Sequence, residues 1–358
     1  MRSGMRNVAI VAGATGIVGH RLVELLSAND GWQVIGLSRR SPRRRRAIGM
    51  TYLEVDLTDA NRTYDALRDL SGVTHVFNAA RYDHVTTAPE DANVNTTMLV
   101  NLIEALERAR QPLRHVHLVQ GSKYYGSNLG AYRTPSRESD PRSLQGNFYY
   151  EQEDICIARS ASARWAWSAS RPHGVSDSGP GLPRTVAMVI AIYAAISREL
   201  GIPMCFPGTA GNFRAIYQCT DARHLAKAIV WMATTPACEN QAFNVTNADF
   251  FRWCNLWPRF ASAFGMEWGG VRTVCLEQVM ADKAAVWKRI VAKHNLEATP
   301  YAEVALWSYG DFIFTPDWDM MSDNSKSRKF GFYDSVDSEE MFYRHWDELR
   351  TSRIIPPS

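Results

Sequence analysis

The sequence contains few cysteines, and none of them forms a pair with metal-ligand spacing. Its six cysteines lie far apart without a C-x-x-C motif, which argues against a zinc site or a disulfide framework and predicts reduced, mostly buried thiols. No apolar run approaches the ~20 residues that a membrane helix needs, and no small-residue cleavage site follows the first apolar stretch, so we expect a cytoplasmic protein without a membrane partner. The formal net charge of +3 is too small to indicate binding of nucleic acid.

Short apolar runs alternate with amphipathic stretches in the first half of the chain, which is typical of βαβ units around a parallel sheet. The strand candidates cover residues 7–12, 32–38, 51–56, 74–80, 113–121 and 165–172. Apolar residues at three- and four-residue spacing between the earlier candidates predict helices. We therefore predict an α/β fold of the Rossmann type, with a doubly wound parallel sheet.

A glycine-rich turn joins the first predicted strand to the first predicted helix. The stretch VAIVAGATGIVGHRLVELL places Gly13, Gly16 and Gly19 there, where backbone N–H groups approach a pyrophosphate at a helix N-terminus. Thr15 and Ile17 belong to the same turn. We therefore predict that these five residues bind a dinucleotide, and a tight βα turn without a ligand is the alternative.

The end of the second predicted strand lacks the acidic residue that would bond the ribose 2′-hydroxyl of NAD. It holds Ser38, Arg39 and Arg40 instead. Because a guanidinium can bind a 2′-phosphate through two hydrogen bonds, this sequence predicts NADPH as the cofactor. The alternative is a solvated loop face, an interpretation that fits the further arginines at 43–46 better than it fits Arg39 and Arg40.

Further contacts with the cofactor are predicted after later strands. Asp56 is expected near the adenine amino group, and the small side chains of Ala79 and Ala80 let the backbone pass close to the cofactor. We also assign to the cofactor site Leu57, Pro172 and Val175.

Two tyrosines, Tyr149 and Tyr150, precede an acidic segment that is predicted to begin a helix. Most short-chain dehydrogenases carry a lysine four residues after the catalytic tyrosine, and here Glu153 and Asp154 occupy the corresponding positions. Lys123 follows the fifth predicted strand, whose carboxyl end opens onto the cofactor crevice in this architecture. The lysine is therefore expected to approach the tyrosine from an upstream segment.

The pattern G-x-K-x-Y followed by N-F-Y-Y-x-x-E-D resembles the progesterone 5β-reductase and iridoid synthase family, an atypical branch of the short-chain dehydrogenases. Segments at 198–213, 244–265 and 322–350 are similar to later motifs of that family. The resemblance implies Tyr149 and Lys123 as catalytic residues, hydride addition to the β-carbon of an activated alkene, and a homodimer. Two segments, THVFNAARYDH and SRPHGVSDSG, depart from the family's usual sequences near the nicotinamide and the substrate, which bears on substrate choice.

The chemistry of a phenol suits the role that the resemblance implies for Tyr149. With a reference pKa of ~10 it stays protonated at neutral pH, and it can donate a hydrogen bond to a substrate oxygen that becomes negative. Lys123 would hold the nicotinamide ribose and stabilise that anion. We interpret Tyr150 as a packing residue, and His84 and His173 as structural hydrogen-bonding residues.

The 358 residues suffice for one large α/β unit with a smaller lobe. We predict that residues 1–182 mainly form the NADP-binding Rossmann domain and residues 183–358 mainly a helical substrate-binding lobe, with a segment at about 214–246 returning to the Rossmann core. The aromatic stretches FFRWCNLWPRF and EVALWSYGDFIF are expected to form helix cores and pocket walls, which favours a small apolar enone or enal as substrate.

Two other functions stay open at this point. An extended short-chain carbonyl reductase, alcohol dehydrogenase or sugar-nucleotide epimerase would share the fold, but it should keep a lysine four residues after its tyrosine. A non-catalytic NADPH-binding regulator would be expected to lose Tyr149 or Lys123, and both are present. No metal is implied.

Overall fold

The computed structural model describes residues 6–39, 50–82, 91–178 and 181–357. Within those residues the strands are β1 (Asn7–Ala12), β2 (Trp32–Ser38), β3 (Met50–Glu54), β4 (Val73–Asn78), β5 (His115–Val119), β6 (Ala166–Arg171), β7 (Val175–Ser176), β8 (Met204–Phe206), β9 (Ile216–Tyr217), β10 (Thr220–Asp221), β11 (Gln241–Asn244), β12 (Phe251–Arg252) and β13 (Trp268–Val271). The helices are α1 (Ile17–Ser27), α2 (Ala60–Leu67), α3 (Ala92–Arg108), α4 (Phe148–Ser160), α5 (Val186–Glu199), α6 (Ala210–Arg214), α7 (Ala222–Thr234), α8 (Trp253–Ala263), α9 (Leu276–Val279), α10 (Ala284–His294), α11 (Trp307–Phe314), α12 (Ser325–Lys329) and α13 (Ser338–Thr351).

Within the described residues, seven strands form one parallel sheet in the order β11-β6-β5-β4-β1-β2-β3. Because β1 lies between β2 and β4, the strand order reverses at β1, and sheets of this kind bind ligands in the crevice outside the carboxyl ends at that point. All of β4 and all but the first residue of β1 are buried, as expected for strands covered by helices on both faces. The prediction of a Rossmann-type, doubly wound parallel sheet is confirmed.

Several strands end earlier than the sequence predicts. The third is predicted to reach residue 56 and ends at Glu54, the fourth is predicted to reach residue 80 and ends at Asn78, and the fifth is predicted to reach residue 121 and ends at Val119. The chain leaves the sheet at these points and lines the crevice instead of pairing with a neighbouring strand. Residues that the sequence pattern assigns to strand ends therefore belong to the candidate site.

The seventh strand of the sheet, β11, was not among the predicted strands. Its four residues QAFN carry a polar side chain at each end, which leaves too short an apolar run to recognise, and they pair with β6 from Ser168 to Arg171. Ahead of it, α7 packs Leu225 and Ile229 into the same apolar cluster as Leu22 of α1. This segment thus lies on the sheet, and the division into two domains, with a return to the Rossmann core at about 214–246, stays a proposal.

The helical part of the chain is organised around α5. Twelve consecutive residues of this helix, from Val186 to Ser197, are buried, because a helix that is apolar on all sides must be surrounded by other elements. Aromatic side chains of α8 and α13 pack together in the same cluster, for example Phe260 against Trp346 at 4.7 Å between ring centroids. Among the described residues, no helix combines the length and the apolar character required to cross a membrane.

Candidate active site

A cavity of about 490 Å³ lies at the carboxyl edge of the parallel sheet. Its lining includes almost all of the site residues predicted from the sequence: Gly13, Thr15, Gly16, Ile17, Ser38, Arg39, Asp56, Leu57, Ala79, Ala80, Lys123, Tyr149, Pro172 and Val175. Gly19 is buried beneath the turn and does not line the cavity. Arg40, the arginines at 43–46 and His84 lie outside the described residues.

The glycine turn between β1 and α1 can pack closely against the chain after β4 and against itself only because its glycines lack side chains. Gly13 has a φ of +77°, and a Cβ on it would lie 2.6 Å from the carbonyl oxygen of Ala79. A Cβ on Gly19 would lie 2.1 Å from the carbonyl oxygen of Gly13. Gly16 is the N-cap of α1 and provides no side-chain cap, and the first turn of α1 contains no acidic residue. The exposed N–H groups of such a helix start suit a pyrophosphate, so the turn fits a dinucleotide cofactor.

One end of the cavity carries the residues predicted to bind the adenosine part of the cofactor. Asp56 accepts hydrogen bonds from the backbone nitrogen of Thr58 at 3.0 Å and from its hydroxyl at 2.8 Å. These bonds, followed by the nearby charge of Arg39, lower the pKa of Asp56. The guanidinium of Arg39 lies 5.5 Å from the ring centroid of Tyr82. The Asp56 carboxylate and the Arg39 guanidinium thus lie close enough to interact electrostatically, beyond the ends of β3 and β2.

Lys123 and Tyr149 lie on the wall of the cavity next to β5. Lys123 belongs to the short 3-10 helix Ser122–Tyr125, and its Nζ is 5.3 Å from the ring centroid of Phe312 in α11. Tyr149 is the second residue of α4 and is 5% exposed. Its hydroxyl lies beside the backbone of Gly121, since a Cβ on that glycine would be 3.3 Å from the Tyr149 oxygen. The end of β5 and the start of α4 therefore bring the two predicted catalytic residues to the same cavity wall.

Glu153, at the position four residues after Tyr149, faces away from the cavity. One of its carboxylate oxygens accepts hydrogen bonds from Arg171 at 3.0 Å and from Gln120 at 2.9 Å, and the other accepts one from the Tyr124 hydroxyl at 3.1 Å. The guanidinium of Arg171 also lies 3.3 Å from the ring centroid of Tyr124. The position that holds a lysine in most short-chain dehydrogenases thus anchors α4 to β6 through a buried ion pair.

Tyr150 lies outside the cavity lining and has structural partners. Its hydroxyl donates to the carbonyl oxygen of Tyr124 at 2.6 Å and accepts from the backbone nitrogen of Ser143 at 2.9 Å. His173 lines the cavity, and its Nδ1 lies 2.6 Å from the Ser122 hydroxyl oxygen. Burial lowers the pKa of His173 to about 4, so its imidazole is neutral at neutral pH.

Several lining residues escaped the sequence prediction because distant segments supply them. Tyr309 and Phe312 project from α11, within the stretch EVALWSYGDFIF that the sequence suggests as a pocket wall, whereas FFRWCNLWPRF packs largely in the helical core. Arg81 follows Ala80 beyond the end of β4, and Arg184 precedes α5. Arg81 lies in THVFNAARYDH, which the sequence connects with substrate choice without singling out this residue, and Arg184 lies in no segment that the sequence connects with a ligand.

Comparisons with known proteins found a matching family model, similar proteins of known name and solved structures with the same fold. The family model of the NAD dependent epimerase/dehydratase family matches residues 9–246. The (S)-8-oxocitronellyl enol synthase of Antirrhinum majus is 31% identical, with 98% of this chain and 93% of that protein covered. The 3-oxo-Δ4,5-steroid 5β-reductase of Arabidopsis thaliana is 32% identical over 98% of this chain and 93% of its own length. A Bordetella bronchiseptica enzyme solved in complex with NAD+ shares the fold, with a TM-score of 0.60, 17% identity, and 97% of this chain and 99% of that chain covered.

Proposed function

This chain belongs to the progesterone 5β-reductase and iridoid synthase family, within the NAD dependent epimerase/dehydratase family, and we propose that it uses NADPH to reduce the activated C=C bond of an enone or enal. Its relatives confirm the family resemblance and the prediction of an oxidoreductase that acts on CH–CH groups. The observation that carries the proposal is the joint placement of Lys123 and Tyr149 on one wall of the cavity, with Glu153 where other short-chain dehydrogenases have their lysine.

The two alternative functions are not favoured. A carbonyl reductase or a sugar-nucleotide epimerase would need a lysine four residues after Tyr149, and that position is occupied by the buried, ion-paired Glu153. A non-catalytic regulator has no need for Lys123 and Tyr149 on the cavity wall, and both are there. The relatives named above as an enol synthase and a steroid 5β-reductase match nearly the whole chain, including the helical lobe.

A nicotinamide cofactor follows from family membership, and NADPH is our proposal for which one. The turn at Gly13 and Gly16 fits the pyrophosphate, and Ser38 and Arg39 replace the acidic residue that would repel a 2′-phosphate. When bound, a reduced nicotinamide supplies the hydride that adds to the β-carbon of the substrate. The proposed site residues of this chain then have two tasks, to bind the carbonyl oxygen and to exclude water.

We assign the binding of the carbonyl oxygen to Tyr149. Its buried hydroxyl donates a hydrogen bond to the oxygen that becomes an enolate when hydride arrives, and a donor that is already in place needs no reorganisation during the reaction. The ammonium group of Lys123 lies on the same wall and adds a positive charge that favours the enolate. Phe148, Phe312 and Ile313 line the cavity with apolar surface that suits the body of a small enone.

The position of an isotope label tests the proposed reaction. With NADPH deuterated at C4 of the nicotinamide, and with cyclic and linear enones and enals as trial substrates, we expect deuterium at the β-carbon of a saturated ketone or aldehyde, located by NMR. Deuterium on a carbinol carbon, with the alkene untouched, would identify a carbonyl reductase and overturn the proposal. Homodimer assembly and cytoplasmic location stay predictions from the family resemblance and the sequence.

Arg39→Ala is expected to weaken NADPH binding by about 1.5 to 3 kcal/mol, the usual contribution of a hydrogen bond to a charged group, and to leave NADH binding nearly unchanged. Arg39 is exposed, so its removal leaves the core intact. Fluorescence titration with both cofactors measures the effect, and Arg68→Ala, immediately after the C-terminal end of α2, is the matched surface control. Equal affinity of the unaltered protein for NADPH and NADH would contradict the assignment.

A further inference from the structure

The cavity carries more positive charge than the proposed chemistry uses. Among the described residues that line it, four are basic (Arg39, Arg81, Lys123 and Arg184) and one, Asp56, is acidic. The acid lies next to Arg39, at the end assigned to the adenosine part of the cofactor. Lys123 is assigned to the enolate. Arg81 and Arg184 remain, and neither has a task in the reaction as proposed above.

Arg184 lies at the catalytic end of the cavity. Its guanidinium carbon is 5.5 Å from the ring centroid of Tyr309 in α11. One helical turn further along, Phe312 stacks near Tyr309 with 6.2 Å between ring centroids, and Lys123 places its ammonium group 5.3 Å from the Phe312 centroid. Arg184 and Lys123 therefore lie next to two neighbouring aromatic rings of α11, so Arg184 and the proposed catalytic lysine lie in the same region of the cavity.

Arg81 lines the same cavity from the segment that follows β4. Burial, followed by the charge of Arg81, lowers the pKa of Arg184 to about 10. Both side chains are half-buried. An anion that enters the cavity beside them is attracted by two charges at once, and guanidinium groups bind a carboxylate through paired hydrogen bonds.

We propose that Arg81 and Arg184 form an anion subsite, and that the substrate is an enone or enal whose apolar body carries a carboxylate. The inference rests on the proposed function, since it adds a specificity group to the same cavity. Arg81 lies in THVFNAARYDH, a segment that departs from the usual sequences of the family near the substrate. The proposed subsite therefore includes a residue of the segment that is expected to bear on substrate choice.

A matched pair of substrates tests the subsite. We would compare a linear enone that ends in a carboxylate with its primary amide, which is nearly the same size and neutral, and measure kcat/KM for both. The unaltered protein is expected to prefer the carboxylate by roughly 10- to 100-fold, because charged hydrogen bonds to guanidinium groups exceed neutral ones by that amount. Arg184→Met should abolish most of this preference, Arg184→Lys should retain part of it, and Arg289→Met, at an exposed position of α10, should leave it unchanged.

A measurement of NADPH affinity shows whether the two arginines bind the substrate, as proposed, or the cofactor. We expect Arg184→Met to bind NADPH as tightly as the unaltered protein in a fluorescence titration. A fall in NADPH affinity with an unchanged carboxylate-to-amide ratio would show that the arginines bind the cofactor, and the inference would be overturned.

The two proposals can fail separately. If both substrates are reduced equally well, the subsite is wrong while the enone reductase stands. If neither alkene is reduced, the proposed function fails, and calorimetry of the NADP+-loaded protein with the saturated keto acid and its amide still decides the subsite: tighter binding of the acid supports it, and equal binding overturns it.

Discussion

Glu153→Lys is expected to lower the free energy of unfolding by about 3 to 5 kcal/mol, although it restores the lysine that most short-chain dehydrogenases carry four residues after the tyrosine. Glu153 and Arg171 form a buried ion pair at 3.0 Å, with Arg171 only 2% exposed. The substitution would replace the carboxylate that is hydrogen-bonded to this arginine with a second positive charge. A buried charge that loses its partner keeps its desolvation cost, and here a like charge would add repulsion.

Two further variants make the stability test specific. Asp154→Lys alters the next residue, which is 59% exposed at its side chain and pairs with Arg142 near the surface, so we expect a loss of roughly 1 kcal/mol or less. Glu153→Gln keeps the shape of the side chain and removes the charge that pairs with Arg171, so its loss of stability should lie between the other two. This variant also decides the test if Glu153→Lys does not fold. Urea unfolding followed by circular dichroism measures all three. Equal stability of Glu153→Lys and Asp154→Lys would contradict the anchoring role.

The buried ion pair also shows where the side chain at the usual lysine position lies in this protein. Glu153 points toward Arg171 and Gln120 and does not line the cavity, so a lysine at that position would not reach the substrate from the same direction. Lys123 reaches the cavity from the end of β5 instead. The sequence reveals the acidic residue and the upstream lysine, but not the pairing with Arg171, because that contact joins α4 to β6 in space.

The parallel sheet and the cofactor turn were predictable because their signals are local. The strand β1 is an apolar run that is buried at all but its first residue, and the glycines of the first turn lie between this strand and an amphipathic helix. The strand β11 shows the limit of this signal. Its four residues become a strand by pairing with β6 at the edge of the sheet, and nothing within the four residues requires it.

The substrate end of the cavity was less predictable, since it is assembled from segments far apart in the chain. The stretch EVALWSYGDFIF was recognised as a pocket wall, but the side chains that face the cavity depend on where α11 begins. Once the helix is known to start at Trp307, the residues Tyr309, Phe312 and Ile313 fall at three- and four-residue spacing on one face. Arg184, which precedes α5, lies beside these residues only because α5 packs against α11.

Tyr149→Phe is expected to lower turnover by roughly 10² to 10³, the usual effect of removing one preorganised donor to an oxyanion. The ring itself should remain in place, because it packs against Phe148 with 4.5 Å between ring centroids and the helix start is held by Asn147, which accepts a hydrogen bond from the Tyr149 nitrogen at 3.1 Å. Residual activity should survive, since Lys123 and the cavity still favour the enolate and position the alkene.

Tyr150→Phe is the matched control for the loss of the Tyr149 hydroxyl. It removes a hydroxyl from the neighbouring residue, whose bonds to Tyr124 and Ser143 are structural, so it should cost some stability and change turnover little. Single-turnover measurements of NADPH oxidation, made for both variants at saturating substrate, separate the chemical step from binding. If Tyr150→Phe slowed that step as much as Tyr149→Phe, or if Tyr149→Phe were as fast as the unaltered protein, the hydroxyl of Tyr149 could not be the donor that holds the enolate.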